Sequence, residues 1–283
     1  MANTKEIKSK NNLKTRHNWI KNLLALIISA FFIAPFYITV SLSFKTRSDR
    51  TSYWLFPKKP VLSSYIYAWT KGNVGVAIKN TMIITVVSVF FILLFGVMAA
   101  YPFSRHKSKL NGFLLSCFVG VMMVPPLSVL VPLYKELVAM KGINTYWAVI
   151  LITIAYQLPM CVFMFSNFIK TIPKELDEAA KIDGCSQFMI LPRIILPNMG
   201  PVIASVLILV GVGVWNDYSF QLYVLQKPKM RTITLAMSAF FSDGVANMPA
   251  AAAAAVLAVL PVAIIYLCLQ KYFVKGTVDS AIK

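Results

Sequence analysis

Apolar residues run through the chain in six long blocks, at approximately 22–41, 80–101, 110–132, 146–168, 199–224 and 250–270. A helix needs about 20 mostly apolar residues to cross a bilayer. Apart from Asp217, none of the six blocks contains Asp, Glu, Lys or Arg. Backbone groups surrounded by lipid must bond inside their own segment, so helices are the expected form. The pattern predicts an all-α, polytopic membrane protein with six transmembrane helices, read as one transmembrane domain over residues 1–283. Pro35, Pro125, Pro126, Pro159 and Pro261 fall inside these blocks and predict kinks or unwound turns. The alanine run 250–255 opens the sixth block, and its small side chains suit close helix packing.

Composition sharpens this picture. Charged residues are 13% of the 283, about half the share of an average soluble domain, and 58% are hydrophobic. That excludes a soluble enzyme and a disordered tail. The net charge of +18 would fit a nucleic-acid binder, but its 28 Lys and Arg stand between apolar blocks, where they read as membrane flanks. With the N-terminus inside, the inner segments carry 16 Lys and Arg in 72 residues, and the outer ones 12 in 76. The bias places both termini and the 169–198 segment in the cytoplasm, though the basic first outer loop weakens it. Cys117, Cys161, Cys185 and Cys268 are too scattered for a disulfide framework and read as free thiols. The basic start leads into an apolar run too long for a cleaved signal peptide, so that run is taken as the first span.

One connection differs from the rest. Residues 169–198 read IKTIPKELDEAAKIDGCSQFMILPRIILPN. Pro173 suits a first helical turn, and Glu175, Asp177 and Glu178 then lie where a helix N-terminus favours negative charge. Gly184 is placed to end that helix in a left-handed cap, and Ser186 to cap a second one. Leu176, Ala179, Ala180 and Asp183 share a face at helical spacing. The segment is too polar for lipid and too structured for a passive linker.

Glu178-Ala179-Ala180, three residues, Gly184, nine residues, then Ile194-x-Leu196-Pro197 resembles the "EAA" signature of inner-membrane permeases of binding-protein-dependent ABC importers. Ile172-Pro173-Lys174-Glu175 and Ile182-Asp183 are similar to the carbohydrate, maltose-transporter-type branch. Weaker matches follow in order along the chain: Ser43-Phe44-Lys45, Asn80-Thr81, Ala100-Tyr101, Gly142 to Tyr146, Trp215-Asn216-Asp217, Leu260-Pro261 and Gln270 to Gly276. Ser280 departs from the pattern, where glycine is expected in the tail.

The resemblance implies a permease subunit in the inner (cytoplasmic) membrane. It would work with a sister permease, an ABC ATPase dimer and an extracytoplasmic solute-binding protein. It implies no cofactor in this chain, with ATP and Mg on the partner ATPase subunits. The coupling residues it implies are Glu178, Ala179, Ala180, Asp183, Gly184, Ile194, Leu196 and Pro197. The corresponding fifth-to-sixth-span loop of the family reaches the binding protein. In this chain that loop is about 225–249, with Phe240, Phe241, Asp243 and Gly244 as candidate contacts.

The residues themselves exclude some rivals. No Gly-x-x-x-x-Gly-Lys-Ser/Thr loop exists to cradle ATP phosphates. His17 and His106 are the only histidines, both in basic flanks, so no metal site is expected. A channel or secondary transporter is the rival from another class, and ion coupling usually needs a midplane charge. Asp217 lies about 18 residues along its span, roughly 27 Å into a core about 30 Å thick, near the far edge. Tyr156, Gln157, Trp215, Asn216, Asp217 and Tyr218 are the polar and aromatic positions that would line a solute pathway; helix-to-helix bonding or interfacial anchoring explains them equally. The resemblance implies a carbohydrate, and within that class an oligosaccharide, as the solute, with a non-sugar solute as the alternative.

Overall fold

The computed structural model describes residues 2–106, 108–242 and 247–281, with side chains described for 19–106, 108–241, 247–268 and 270. Among the described residues every regular element is helical. The long elements are α1 (Ala2–Ser43), α3 (Val74–Arg105), α6 (Tyr146–Thr171), α10 (Gly200–Trp215) and α13 (Met248–Ala281). Between α1 and α3 lies the short α2 (Ser63–Thr70).

Two of the six expected spans are not single helices. The third, expected over 110–132, is a bent pair. After α4 (Lys109–Val121) the chain breaks at Pro125-Pro126, makes one 3-10 turn (Pro126–Val129) and leaves as α5 (Leu130–Ala139) at 92°. Proline lacks the N–H that the next turn requires and drives its predecessor out of the helical region, and two in succession stop the helix outright. The fifth, expected over 199–224, stops at Trp215, unwinds through Asn216–Tyr218 and restarts as α11 (Ser219–Val224). There the Asp217 carbonyl is taken by the Thr234 hydroxyl at 2.8 Å instead of a following helical N–H. By contrast, Pro159 and Pro261 are carried inside α6 and α13 without a break. Among the described residues, counting the bent pair as one, six segments are long and apolar enough to cross a membrane.

The core lies where α3 packs along α6, with α10 against both. Gly96 permits the closest approach, since a Cβ there would collide with the Cys161 sulfur. A second cluster forms where Ala250, Ala253 and Ala254 of α13 bury against Ala68, Val74, Ala77 and Trp215. α1 stands at the periphery beside α13, with nearly all its described apolar side chains uncovered.

The two ends of the bundle are secured by polar groups. At the end away from residues 169–198, the Asn80 amide donates to the carbonyls of Lys229 and Arg231 at 3.0 and 2.9 Å, and the Tyr146 hydroxyl donates to Asn80 Oδ1 at 2.7 Å. Thr81 Oγ1 accepts the Ile233 N–H. These bonds pin the start of α12 (Ile233–Ser242) to α3. Lys45, fully buried, donates to Thr51 Oγ1 and the Ser52 carbonyl, closing the turn after α1. At the opposite end, α3 is tied to the 169–198 segment.

Candidate coupling element and solute recess

Beyond α6 the chain forms α7 (Glu175–Ile182), a turn, and α8 (Gln187–Ile190). It continues through a π-helical turn (Leu191–Ile195) and α9 (Leu196–Asn198) into α10. Pro173 stands just outside α7, whose first turn carries Glu175, Asp177 and Glu178 at the end where helix dipoles favour anions. Gly184 has φ +82°, in the left-handed region. Around it the Cys185 N–H reaches the Ala180 carbonyl at 2.9 Å, and its own N–H reaches that of Lys181 at 3.1 Å. This pair is the full Schellman closure. Ser186 occupies the cap position of α8 in extended conformation, but its hydroxyl makes no capping bond.

α7 presents two different faces. Asp177 and Ala180 turn inward and are buried. The Arg105 guanidinium grips Asp177 from the end of α3, Nε to Oδ2 at 2.8 Å and Nη2 to Oδ1 at 3.2 Å, while Nη1 donates to the Ile172 carbonyl at 3.0 Å. One aligned hydrogen bond from Nη2 and a close Nε–Oδ2 contact make this a buried, charge-assisted ion pair. Glu178, Ala179 and Asp183 lie on the outward side. The single face expected for Leu176, Ala179, Ala180 and Asp183 is therefore split, with Ala180 on the packed side. Ile182 and Phe188 flank the turn with 86% and 91% of their surface open. Further on, Ile194 is half-buried and Leu196 and Pro197 are exposed, whereas Ile195 between them is fully buried.

The two helix breaks face each other across α6. Pro126, Thr153, Tyr156, Gln157, Gly213, Asp217 and Phe220 line a recess of about 120 Å³ between them. Irregular backbone at membrane depth is tolerated where protein buries it or where it lines a cavity. Here the Tyr156 hydroxyl satisfies the Val124 carbonyl at 3.0 Å, and Thr234 Oγ1 satisfies that of Asp217 at 2.8 Å. The Tyr156 and Phe220 rings meet edge to face at 5.4 Å. A Cβ at Gly213 would stand 3.3 Å from Gln157 Nε2, so the glycine leaves that amide its room.

Residues 92–279 match the family described as the binding-protein-dependent transport system inner membrane component. The chain belongs to that family. It is 40% identical over 271 residues to the melibiose/raffinose/stachyose import permease protein MelC of Bacillus subtilis (strain 168), covering 95% of this chain and 98% of that one. It is 34% identical over 266 residues to a probable starch degradation products transport system permease, AmyC, of Thermoanaerobacterium thermosulfurigenes, covering 94% and 97%. Its fold matches a crystal structure of a bacterial ABC transporter involved in the import of the acidic polysaccharide alginate. There the TM-score is 0.78 at 18% identity, over 90% of this chain and 96% of that one.

In this inner-membrane permease the six expected pathway residues divide. Tyr156, Gln157 and Asp217 meet in the recess. Trp215 points away and is buried toward α3 and α13, on an apolar groove shared with Phe90 and Val262. Asn216 and Tyr218 are exposed outside the recess. The stretch expected as a 225–249 loop is largely folded, with a 3-10 turn (Pro228–Met230) followed by α12. Phe240 is buried with its ring over Gly72. Phe241 is exposed, and Asp243 and Gly244 lie outside the described residues. Sequence reading missed Arg105, whose partner lies 72 positions away, and the openness of Ile182 and Phe188. Apolar residues in an otherwise polar connection were the available signal for those two.

Proposed function

We propose that this permease pairs with a sister permease to form the membrane pathway of an ATP-driven importer for a carbohydrate, most simply an oligosaccharide. An extracytoplasmic binding protein delivers the solute. An ABC ATPase dimer on the cytoplasmic side holds the ATP and Mg. The observation that carries the solute class is the 40% identity, along nearly the whole chain, to a permease named for melibiose, raffinose and stachyose import. Relatives named for starch degradation products and arabinooligosaccharides agree with it. The recess supports a shared pathway: at about 120 Å³ it falls below the roughly 300–1,000 Å³ of small-molecule sites, so a sister subunit has to supply the rest.

Coupling runs through residues 169–198. Ile182 and Phe188 offer a small apolar face on a segment unsuited to lipid, and an ATPase cleft is its proper cover. Glu178 and Asp183 supply charge at its rim. ATP-driven closure of the ATPases pushes α7, and the Arg105–Asp177 pair passes that push directly to α3. Both termini and this segment face the cytoplasm. A cysteine at Lys181 should resist an impermeant thiol reagent in intact cells while one at Lys58 labels; the reverse would overturn the orientation.

The deciding experiment reconstitutes the chain in vesicles, alone and with its co-purified partners. Alone it should neither hydrolyse ATP nor pass solute. With the ATPases, the sister subunit and the binding protein it should accumulate a labelled α-galactoside oligosaccharide on ATP addition. Flux of that sugar through the isolated chain down its gradient would replace this reading with a channel or secondary transporter.

A further inference from the structure

A hollow at the 169–198 end of the bundle does not include Ile182 or Phe188, the open face proposed for the ATPase, although Arg105, Lys170 and Lys174 line it. It is a groove of about 770 Å³ where α3 ends, α4 begins and α6 runs into α7. Its rim carries His106, Lys109, Lys170 and Lys174, all exposed. Among the described residues no acidic side chain lines it, and the nearby Asp177 carboxylate is engaged by Arg105. The turn between α3 and α4 is firmly built: Ser108 Oγ caps α4 through the Asn111 N–H at 3.0 Å, and the Asn111 amide donates to the His106 carbonyl at 2.8 Å.

From this rim the groove climbs along α4 past Lys109 to Leu115, roughly 9 Å at 1.5 Å per residue, and Phe103 forms its other wall. α4 buries none of its own residues in the chain. The hollow is therefore cationic where it meets water and apolar where it enters the membrane. A carboxylate on a protein surface would use only the rim. A molecule with an anionic head and a hydrocarbon chain uses both.

We propose that this groove binds the headgroup of an anionic phospholipid, with Lys109 and Lys170 holding the phosphate and an acyl chain lying along Leu115 and Phe103. The assignment of leaflet rests on the orientation proposed above; the headgroup chemistry does not. Bound there, the lipid bridges the ends of α3, α4 and α6 beside the coupling helix.

The test takes the full chain, in its purified complex, through nanodiscs of equal phosphatidylglycerol and phosphatidylcholine. After a delipidating wash, mass spectrometry of the extracted lipid counts what each complex retains. The wild type should keep phosphatidylglycerol selectively. The double variant Lys109→Gln, Lys170→Gln should lose about 25-fold in that preference, at about five-fold per lysine. Lys109→Arg with Lys170→Arg should restore it, which shows that the fold survives changes at both sites. Lys58→Gln with Lys59→Gln, in the connection between α1 and α2, should change nothing. Equal retention of the two lipids by the wild type would overturn the proposal, as would undiminished preference in the glutamine variant. Glutamine variants that keep their lipid but shed a protein subunit would mark the groove as a protein interface and overturn it too. Release of the lipid by millimolar inorganic phosphate would show that the apolar wall contributes nothing, and the proposal would fall with it. Because the lipid is present in both leaflets, an error in orientation would leave these outcomes unchanged and show only in cysteine labelling.

Discussion

The turn at Gly184 and the break at Asn216–Tyr218 both interrupt helices, and they do so in opposite ways. The first is closed by its own backbone bonds, fixed to the body by a buried ion pair and open on its outer face, where Ile182 and Phe188 find no cover in this chain. The second turns Asp217 inward, its carbonyl satisfied by Thr234 of another helix, toward a recess too small for a sugar chain. In the proposed complex, one is a handle for the ATPase and the other is half of a cavity. The contrast teaches that a single subunit is nearly complete as a mechanical part and incomplete as a binding site.

The sharpest way to break the handle is to detach it. Arg105→Ala leaves the Asp177 carboxylate buried without its partner, a loss of about 3–5 kcal/mol in comparable pairs. α7 should then gain hydrogen exchange and the complex should lose its ATPase, while the spans remain inserted. Asp177→Asn should do less, since the amide oxygen can still accept from the guanidinium, although Arg105 then lacks its counter-charge. Next in size is Gly184→Val. Among the described residues beyond its chain neighbours, nothing lies within 4 Å of a Cβ at that position, so the penalty is the backbone one, about 1–2 kcal/mol for a left-handed β-branched residue. Co-purified ATPase and solute-stimulated hydrolysis should both fall. Glu178→Ala, which removes one exposed rim charge and leaves the turn intact, should fall less on the same assay.

The cavity half should respond differently. Gln157→Ala removes an amide from the recess without touching the handle, so uptake should drop several-fold with ATPase co-purification unchanged. Equal loss of both would mean that the recess holds the fold and not the solute. The smallest effect belongs to neither region and serves as a control. Hydrogen bonds from the Thr51 hydroxyl and N–H hold the Asp49 carboxyl below its ordinary value of 3.8. A depressed carboxyl pKa stabilises above the unfolded value and loses that contribution as pH falls through the folded one. The turn after α1 should therefore be insensitive from pH 8 to pH 5 and loosen only below about 3.8, and transport between pH 5 and 8 should not track it. The carboxyl chemical shift of Asp49 reads this directly.

Much of the handle was legible from spacing alone, because a glycine stop, acids in a first turn and a helical period are local signals. Gly184 stands where those signals put it. What spacing did not show is which side of α7 packs, since that is set by Arg105, 72 residues earlier, and Ala180 went to the packed side for that reason. The spans were legible as apolar blocks, and the break at Pro125-Pro126 was among the kinks the prolines predicted, whereas the break after Trp215 was not placed in advance. Pro125-Pro126 stop a helix while Pro159 and Pro261 do not, a difference made by doubling and by neighbouring helices. The recess was half legible. Tyr156 and Gln157 were named for their chemistry, but Trp215 has the same chemistry and a different direction, and only the break after it sets that direction.

The central claim is that the open face around Gly184 is covered by an ATPase subunit. A photoreactive residue introduced at position 182, illuminated in native membranes, tests it most directly. The account predicts a cross-linked product that contains this permease and an ABC ATPase, formed in the wild-type background and diminished by Arg105→Ala. A product containing only lipid, or only a second permease, would contradict it.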